Sequence, residues 1–175
     1  MPRLKQQNEV CSVALALQLI GDRWTLLIIR DAFFGVTRFQ DFHQSIGLAK
    51  NVLSDRLSKL VDGGVLKTVP VGEGSWNEYR LTPMGRDLLP ALLALMQWGD
   101  RWINEPDNIP VKVIDRRTGR FIRHIEIQDA NGKPLVAKHL AFKVGPGAKH
   151  PDAQRQNTVY ERVHQRHQRL KGITT

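Results

Sequence analysis

A chain of 175 residues has room for one domain, or for one domain with an appendage. Hydrophobic residues make up 41% and charged residues 25%, which excludes a membrane-embedded composition and overall disorder. One cysteine, Cys11, excludes an intrachain disulfide and a cysteine-built zinc site, and a net charge of +9 points to a polyanionic partner such as nucleic acid.

At the N-terminus, Arg3 and Lys5 precede the apolar run 11–20, a superficial likeness to a secretory signal. Gly21-Asp22-Arg23-Trp24 follows instead of a small-residue cleavage site, and Gln6, Gln7, Asn8 and Glu9 interrupt the approach. No apolar run nears the ~20 residues a membrane helix needs, so a cytoplasmic protein with no membrane partner is expected. Residues 10–20 are apolar nearly all round and predict a helix covered on more than one side. Gly21 ends it, and Asp22 can cap a second helix over 24–34, which Gly35 stops. Residues 39–44 predict a short packed helix. After Gly47, residues 49–61 place Leu53, Leu57 and Leu60 on one buried face, and Gly63-Gly64 closes the segment.

The period then changes. Residues 65–71 and 77–81 predict two strands, joined by the turn Gly72-Glu73-Gly74-Ser75. Thr82-Pro83 is a cap followed by a proline tolerated in the first helical turn, and it predicts a long helix to about residue 104, kinked at Pro90. From Pro110, residues 111–114, 121–127 and 135–144 predict a small three-strand β appendage with turns at Thr118-Gly119 and Asn131-Gly132. Gly145-Pro146-Gly147 opens a polar tail, with a weak helix over 158–170. The charge is unevenly spread: residues 1–104 hold 12 Lys/Arg against 10 Asp/Glu, whereas residues 105–175 hold 14 against 7.

The order of elements is helix, helix, short helix, helix, β-hairpin, long helix. It predicts a mainly α (α+β) chain: a winged helix-turn-helix with a long C-terminal dimerisation helix, then a small β-rich appendage and a basic tail. The expected domains are 1–104, 105–145 and 146–175.

The residues carry a resemblance as well. Cys11, Leu19-Ile20-Gly21, Arg23-Trp24-Thr25-Leu26-Leu27-Ile28 and Arg30-Asp31 open a run that continues with Gly35, Arg38-Phe39 and Phe42. Leu53, Arg56-Leu57, Leu60 and Gly64 follow, then Tyr79, Leu81-Thr82, Gly85, Leu89-Pro90, Leu92 and Trp98-Gly99. In unbroken order over residues 9–103, this resembles the HxlR-type regulators, relatives of the MarR group. The resemblance implies a winged helix, a homodimer, and repression or activation at palindromic operators in double-stranded DNA. It also implies that a cysteine near position 11 can sense oxidants or electrophiles, although a structural Cys11 fits the apolar surroundings equally well. An effector-binding or redox-sensing regulator is therefore the alternative function, with Cys11 or a small-molecule pocket as sensor.

On a helical wheel the face opposite Leu53, Leu57 and Leu60 presents Asn51, Ser54, Asp55 and Ser58, with Lys50 and Lys59 on the flanks. Recognition helices read bases with their N-terminal residues, so Lys50, Asn51, Ser54 and Asp55 are candidate base-edge contacts. Ala49 departs from the expected Ser or Thr cap. Arg56 lies nearer the buried edge, where it either bonds a phosphate or holds a carboxylate such as Asp31. Arg38 precedes the short helix and can fix register on a phosphate, and Lys67 and Arg80 on the wing strands are further phosphate candidates. The wing tip holds an acid and no arginine, which argues against insertion into the minor groove. For the dimer interface, Val13 and Leu17 on the first helix and Leu88, Leu92, Leu95, Trp98 and Trp102 on the long helix form an apolar surplus.

Enzyme signatures are absent from the sequence: no Gly-x-Ser-x-Gly, no P-loop, no paired histidines on a catalytic helix, no Cys-x-x-Cys. Gly72-Glu73-Gly74 is a turn, and His164 and His167 are expected as surface histidines. Longer relatives often carry a cysteine ribbon resembling a zinc knuckle. Here the corresponding turns, Thr118-Gly119 and Asn131-Gly132, lack thiols, so no metal and no cofactor are expected.

Overall fold

The computed structural model describes residues 11–72, 76–141, 145–146, 154–155, 158–163 and 165. Cys11 is the N-cap of α1, Ser12–Ile20, and the helix closes at Gly21. A Cβ on residue 21 would run into the carbonyl of Leu17, so only glycine fits that close. Asp22 then caps α2, Arg23–Phe33, accepting from the backbone N–H groups of Trp24 at 3.0 Å and Thr25 at 3.3 Å. Gly35, at φ 96°, turns the chain out of this helix.

Helix α3, Phe39–Ile46, is longer than expected by two residues and ends at the left-handed Gly47. Helix α4, Lys50–Asp62, comes next. Its N-cap Ala49 makes no side-chain cap bond, as the missing hydroxyl dictates. Strands β1, Leu66–Pro70, and β2, Asn77–Leu81, pair antiparallel with Lys67 opposite Arg80 and Thr68 opposite Tyr79. The expected wing is thus present, although its tip residues 73–75 lie outside the described residues.

The core of this region is assembled from Ile28 and Ile29 of α2, Phe42 of α3, Leu53, Leu57 and Leu60 of α4, and Val65 and Leu66 at the start of the wing. All are essentially inaccessible, and burying each such side chain contributes about 1.5–3 kcal/mol. The 4-and-3 spacing of Leu53, Leu57 and Leu60 presses α4 against α2, α3 and β1, leaving its polar face outward. The backbone N–H of Val65 donates to the Leu60 carbonyl at 2.9 Å, fixing where the wing leaves α4. Tyr79 N–H donates to the Thr37 carbonyl at 2.8 Å, and the Tyr79 ring meets Phe42 edge-on at 6.3 Å, so β2 is tied to the entry of α3.

Thr82 caps α5, Pro83–Arg86, accepting from Gly85 N–H at 3.0 Å while its hydroxyl donates to the Gly64 carbonyl at 2.6 Å. The single long kinked helix expected from the sequence is not formed. The chain breaks at Asp87 and Leu88, and α6, Leu89–Trp102, starts afresh. Pro90 explains the break: it has no N–H for the Arg86 carbonyl and its ring would clash there, whereas the first turn of a new helix needs no donor.

The three strands expected over 111–144 are also not formed among the described residues. Single bridges, Ile114 with Phe121 and Gln128 with Pro134, close turns whose glycines, Gly119 and Gly132, sit at φ 68° and 78° as the turn positions require. The backbone between the turns pairs with a helix side chain instead of a strand. Gln97 of α6 donates through Nε2 to the Arg123 carbonyl at 3.0 Å and accepts from Ile125 N–H at 2.8 Å.

By compactness the described residues divide into two units. One is Asp22–Leu135, the winged helix with residues 105–135 attached. The other holds α1, a 3₁₀ turn at Ala137–His139, and the helical residues 154–155, 158–163 and 165. The tail helix expected over 158–170 is present as far as it is described, and the remainder, with His164 and His167, lies outside the described residues. Among the described residues no single helix is long and apolar enough to cross a membrane.

Candidate nucleic-acid interface

Helix α4 presents Lys50, Asn51, Ser54, Asp55, Ser58 and Lys59 to solvent, directly over the buried Leu53, Leu57 and Leu60. Lys50 and Asn51 fall in the first turn, where α4 has no side-chain cap, so both side chains are unconstrained by it. Asp55 is engaged: its Oδ2 lies 2.9 Å from both Lys59 Nζ and Arg56 Nη1. The Lys59 ammonium, with Arg56 adding to it, holds the Asp55 carboxyl below the usual carboxylate range.

Arg56 holds carboxylates, but not the one expected from sequence. Its Nε lies 3.3 Å from Oδ1 of Asp22, the cap of α2, and its Nη1 meets Asp55. Asp31 is instead buried and paired with its neighbour Arg30 at 2.7 Å. Arg56 therefore ties the start of α2 to the middle of α4. Asp22 was missed in this role because its cap function already accounted for it.

Arg38 is the N-cap of α3 and keeps its side chain largely exposed. Its Nε lies 3.8 Å from Glu78 on β2, and Arg80 binds the same carboxylate at 2.8 Å through Nη2. Lys67 is exposed directly across the ladder from Arg80. Two cations, from the cap of α3 and from β2, thus share one acid, and Lys67 lies across the ladder from one of them. Arg80, then Thr37 and Arg38, holds the Glu78 carboxyl below the usual range. Sequence reasoning missed Glu78, although its place two residues from Arg80 on one strand face was the available signal. It also missed Trp76, which is 77% exposed just before β2.

The residues expected at the dimer interface separate. Val13 and Leu17 on α1 are exposed at 65% and 56%, and Leu95, Trp98 and Trp102 on α6 at 51%, 54% and 70%. Leu88 is half-buried between α5 and α6. Leu92 is buried in the core of the chain itself, which leaves it little surface to offer the expected interface. It sits one helical step from the exposed stripe, and the sequence alone gave no sign of which side faces inward. Cys11 is half-buried at the cap of α1.

Residues 19–107 match the profile of the HxlR-like helix-turn-helix family. Over 147 residues the chain is 41% identical to Rv3095 of Mycobacterium tuberculosis (strain ATCC 25618 / H37Rv), an uncharacterized HTH-type transcriptional regulator, spanning 83% of this chain and 93% of that one. Among solved structures, PA1607, a candidate transcription factor, is 44% identical with a TM-score of 0.74 over 77% of this chain and 95% of that one. PA1374 from Pseudomonas aeruginosa, described in the same terms, is 32% identical with a TM-score of 0.59 over 83% of this chain and 99% of that one.

Proposed function

The chain belongs to the HxlR-like helix-turn-helix family of transcriptional regulators, and on that premise we propose that it works in the cytoplasm as a homodimer that reads a palindromic operator in double-stranded DNA. Its family and relatives are regulators of transcription and not enzymes. One observation carries the reading: the polar face of α4 stands exposed on a fully buried leucine face, and the cations Arg38, Lys67 and Arg80 are exposed in the same compact unit.

The division of labour comes from chemistry. Asn51 can pair bidentately with adenine and Lys50 with guanine, and Ser54 can meet either. Asp55 reaches a cytosine amino group only through a carboxylate already shared with Lys59 and Arg56, so it contributes less than Asn51. Lys59 is the flanking phosphate contact. Arg56 positions α4, and its contact with DNA is secondary. Arg38, Lys67 and Arg80 take phosphates and fix register. Val13 and Leu17 on α1 and, separately, Leu95, Trp98 and Trp102 on α6 are the surfaces that meet the second subunit, and the half-buried Leu88 contributes less.

A second reading, regulation by an oxidant or small-molecule effector, is supported by Cys11 standing at a helix N-terminus, where unpaired N–H groups favour a thiolate. Footprinting the pure protein on the DNA upstream of its own gene tests the first reading. A protected inverted repeat is the expected result, and no protection at low salt would remove it. Repeating the footprint after treatment with a thiol oxidant tests the redox form of the second, which an unchanged footprint would remove.

A further inference from the structure

The wing has an acidic tip, Glu73, and no arginine there. The same compact unit holds another hairpin-like turn with the opposite character. Residues 114–121 are closed by the Ile114–Phe121 bridge, and flanking backbone bonds run from Asp115 N–H to the Arg120 carbonyl at 2.8 Å and from Ile122 N–H to the Val113 carbonyl at 3.1 Å. Asp115 organises the tip. Its carboxylate accepts from Arg117 N–H and binds the Arg117 guanidinium through both oxygens, at 3.0 and 2.9 Å. Arg116, Arg120 and Arg123 are exposed, and among the described residues none has an acidic partner. Phe121, 67% exposed, lies between Arg120 and Ile122 with the Lys112 ammonium 5.8 Å from its ring.

Four arginines, a lysine and an exposed aromatic ring within residues 112–123, against one acid that is already paired with Arg117, are chemically suited to a phosphate backbone. The guanidinium planes take phosphate oxygens in pairs, and the ring can lie against a sugar. The turn is not a free arm, because Gln97 ties the backbone that leaves it to α6 at two points, Arg123 and Ile125, so the base of the turn is anchored. An acidic protein would also be attracted, but a chain that carries a helix-turn-helix already brings a polyphosphate to itself.

We propose that the turn 112–123 is a second DNA contact, in which Arg116, Arg120 and Arg123 take phosphates of the duplex independently of base sequence. This deepens the DNA-binding reading and rests on it. The basic excess of the second half of the chain, +7 over residues 105–175, then acts partly through an ordered turn and not only through the tail.

The test compares full-length protein with the variant Arg116→Gln/Arg120→Gln/Arg123→Gln on a long duplex of mixed sequence, by fluorescence anisotropy across a salt series. The variant is expected to lose about tenfold in affinity at low salt and to flatten the slope of log K against log salt by about 2–3. A control with equal charge removed elsewhere, Arg23→Gln/Arg86→Gln/Arg101→Gln, should flatten it by less than about 1. The lysine version of the three-site variant should recover most of the slope, which separates lost charge from lost folding. An unchanged slope overturns the proposal and leaves the turn to an acidic protein. Equal flattening in the control overturns it too, as a net-charge effect. Failure of the wild type to bind any duplex would overturn the DNA reading itself, whereas a footprint that survives in the three-site variant with unchanged salt slope removes only this contact.

Discussion

Asn51 and Arg38 differ in what they can know about sequence. Asn51 stands in the first turn of α4 with a donor and an acceptor that match one base edge, whereas Arg38, at the cap of α3, is assigned to a phosphate, which carries no sequence information. Asn51→Ala is therefore expected to cost about 1–3 kcal/mol on the operator and little on random DNA, and Arg38→Ala to weaken both and flatten the salt slope. Equal losses on both DNAs for Asn51→Ala would show that α4 does not read bases in this way. Glu78 works against Arg38 and Arg80 by holding them. Glu78→Gln frees both cations and should raise affinity for random duplex while steepening the salt slope. It also has a pH signature. The Glu78 carboxyl is depressed in the folded protein, so its ionised form favours folding. That contribution is in place above its ordinary value near 4.5 and is lost as pH falls through the folded one. The unfolding temperature of the wild type should drop on acidification through this range more steeply than that of Glu78→Gln. Which acid Arg56 holds was not legible in sequence: it pairs with Asp22, 34 positions away, and not with Asp31, because a long-range pairing is set by the fold and not by the motif.

Elements were more legible than pairings. The buried triad Leu53, Leu57 and Leu60 announced α4 and its inward face, since a 3.6-residue period leaves no other helix geometry that buries all three. Glycines and Asp22 marked the ends of α1 and α2 for the same local reasons that operate in the fold. Pro90 was ambiguous, because a proline kinks one helix or begins another, and only the packing around Leu88 and Leu92 decides between them. The turn region 111–135 alternated like strands, yet it pairs with itself only through single bridges, and Gln97 takes two of the backbone groups between them. Gly85 shows how tightly α5 is joined to the wing. A Cβ there would collide with the Val65 carbonyl and come within 3.0 Å of Leu81 Cδ2. Gly85→Ala is expected to destabilise the fold by about 1–3 kcal/mol, read as a lower denaturant midpoint at an unchanged m-value. A midpoint equal to wild type would mean that α5 is free to shift away from β1 at no cost.

At the scale of the molecule, Leu95, Trp98 and Trp102 at 3–4-residue steps on α6 leave large apolar side chains exposed, which is the surface the proposed dimer would use. The pair Val13 and Leu17 on α1 is a smaller surface of the same kind. In the proposed homodimer a second copy of the chain would cover each with itself in an isologous contact, the form most dimers take. Such a dimer sets two copies of α4 about one DNA turn apart, or a multiple of it, and so demands an inverted repeat. The burial of Leu92 makes the proposal testable by contrast within one helix. Leu92→Ala removes a core side chain and should destabilise each subunit by about 2–5 kcal/mol while the surviving folded protein remains dimeric. Leu95→Glu leaves the core intact and places a charge in the stripe, so it should give monomers or aggregates with little operator affinity. Loss of both Trp98 and Trp102 should act the same way, since aromatic anchors at interfaces often cost at least about 2 kcal/mol when truncated. Sedimentation of the wild type at micromolar concentration decides the matter most directly: a monomer that still binds its operator tightly would remove the dimer from the mechanism, and with it the need for a palindrome.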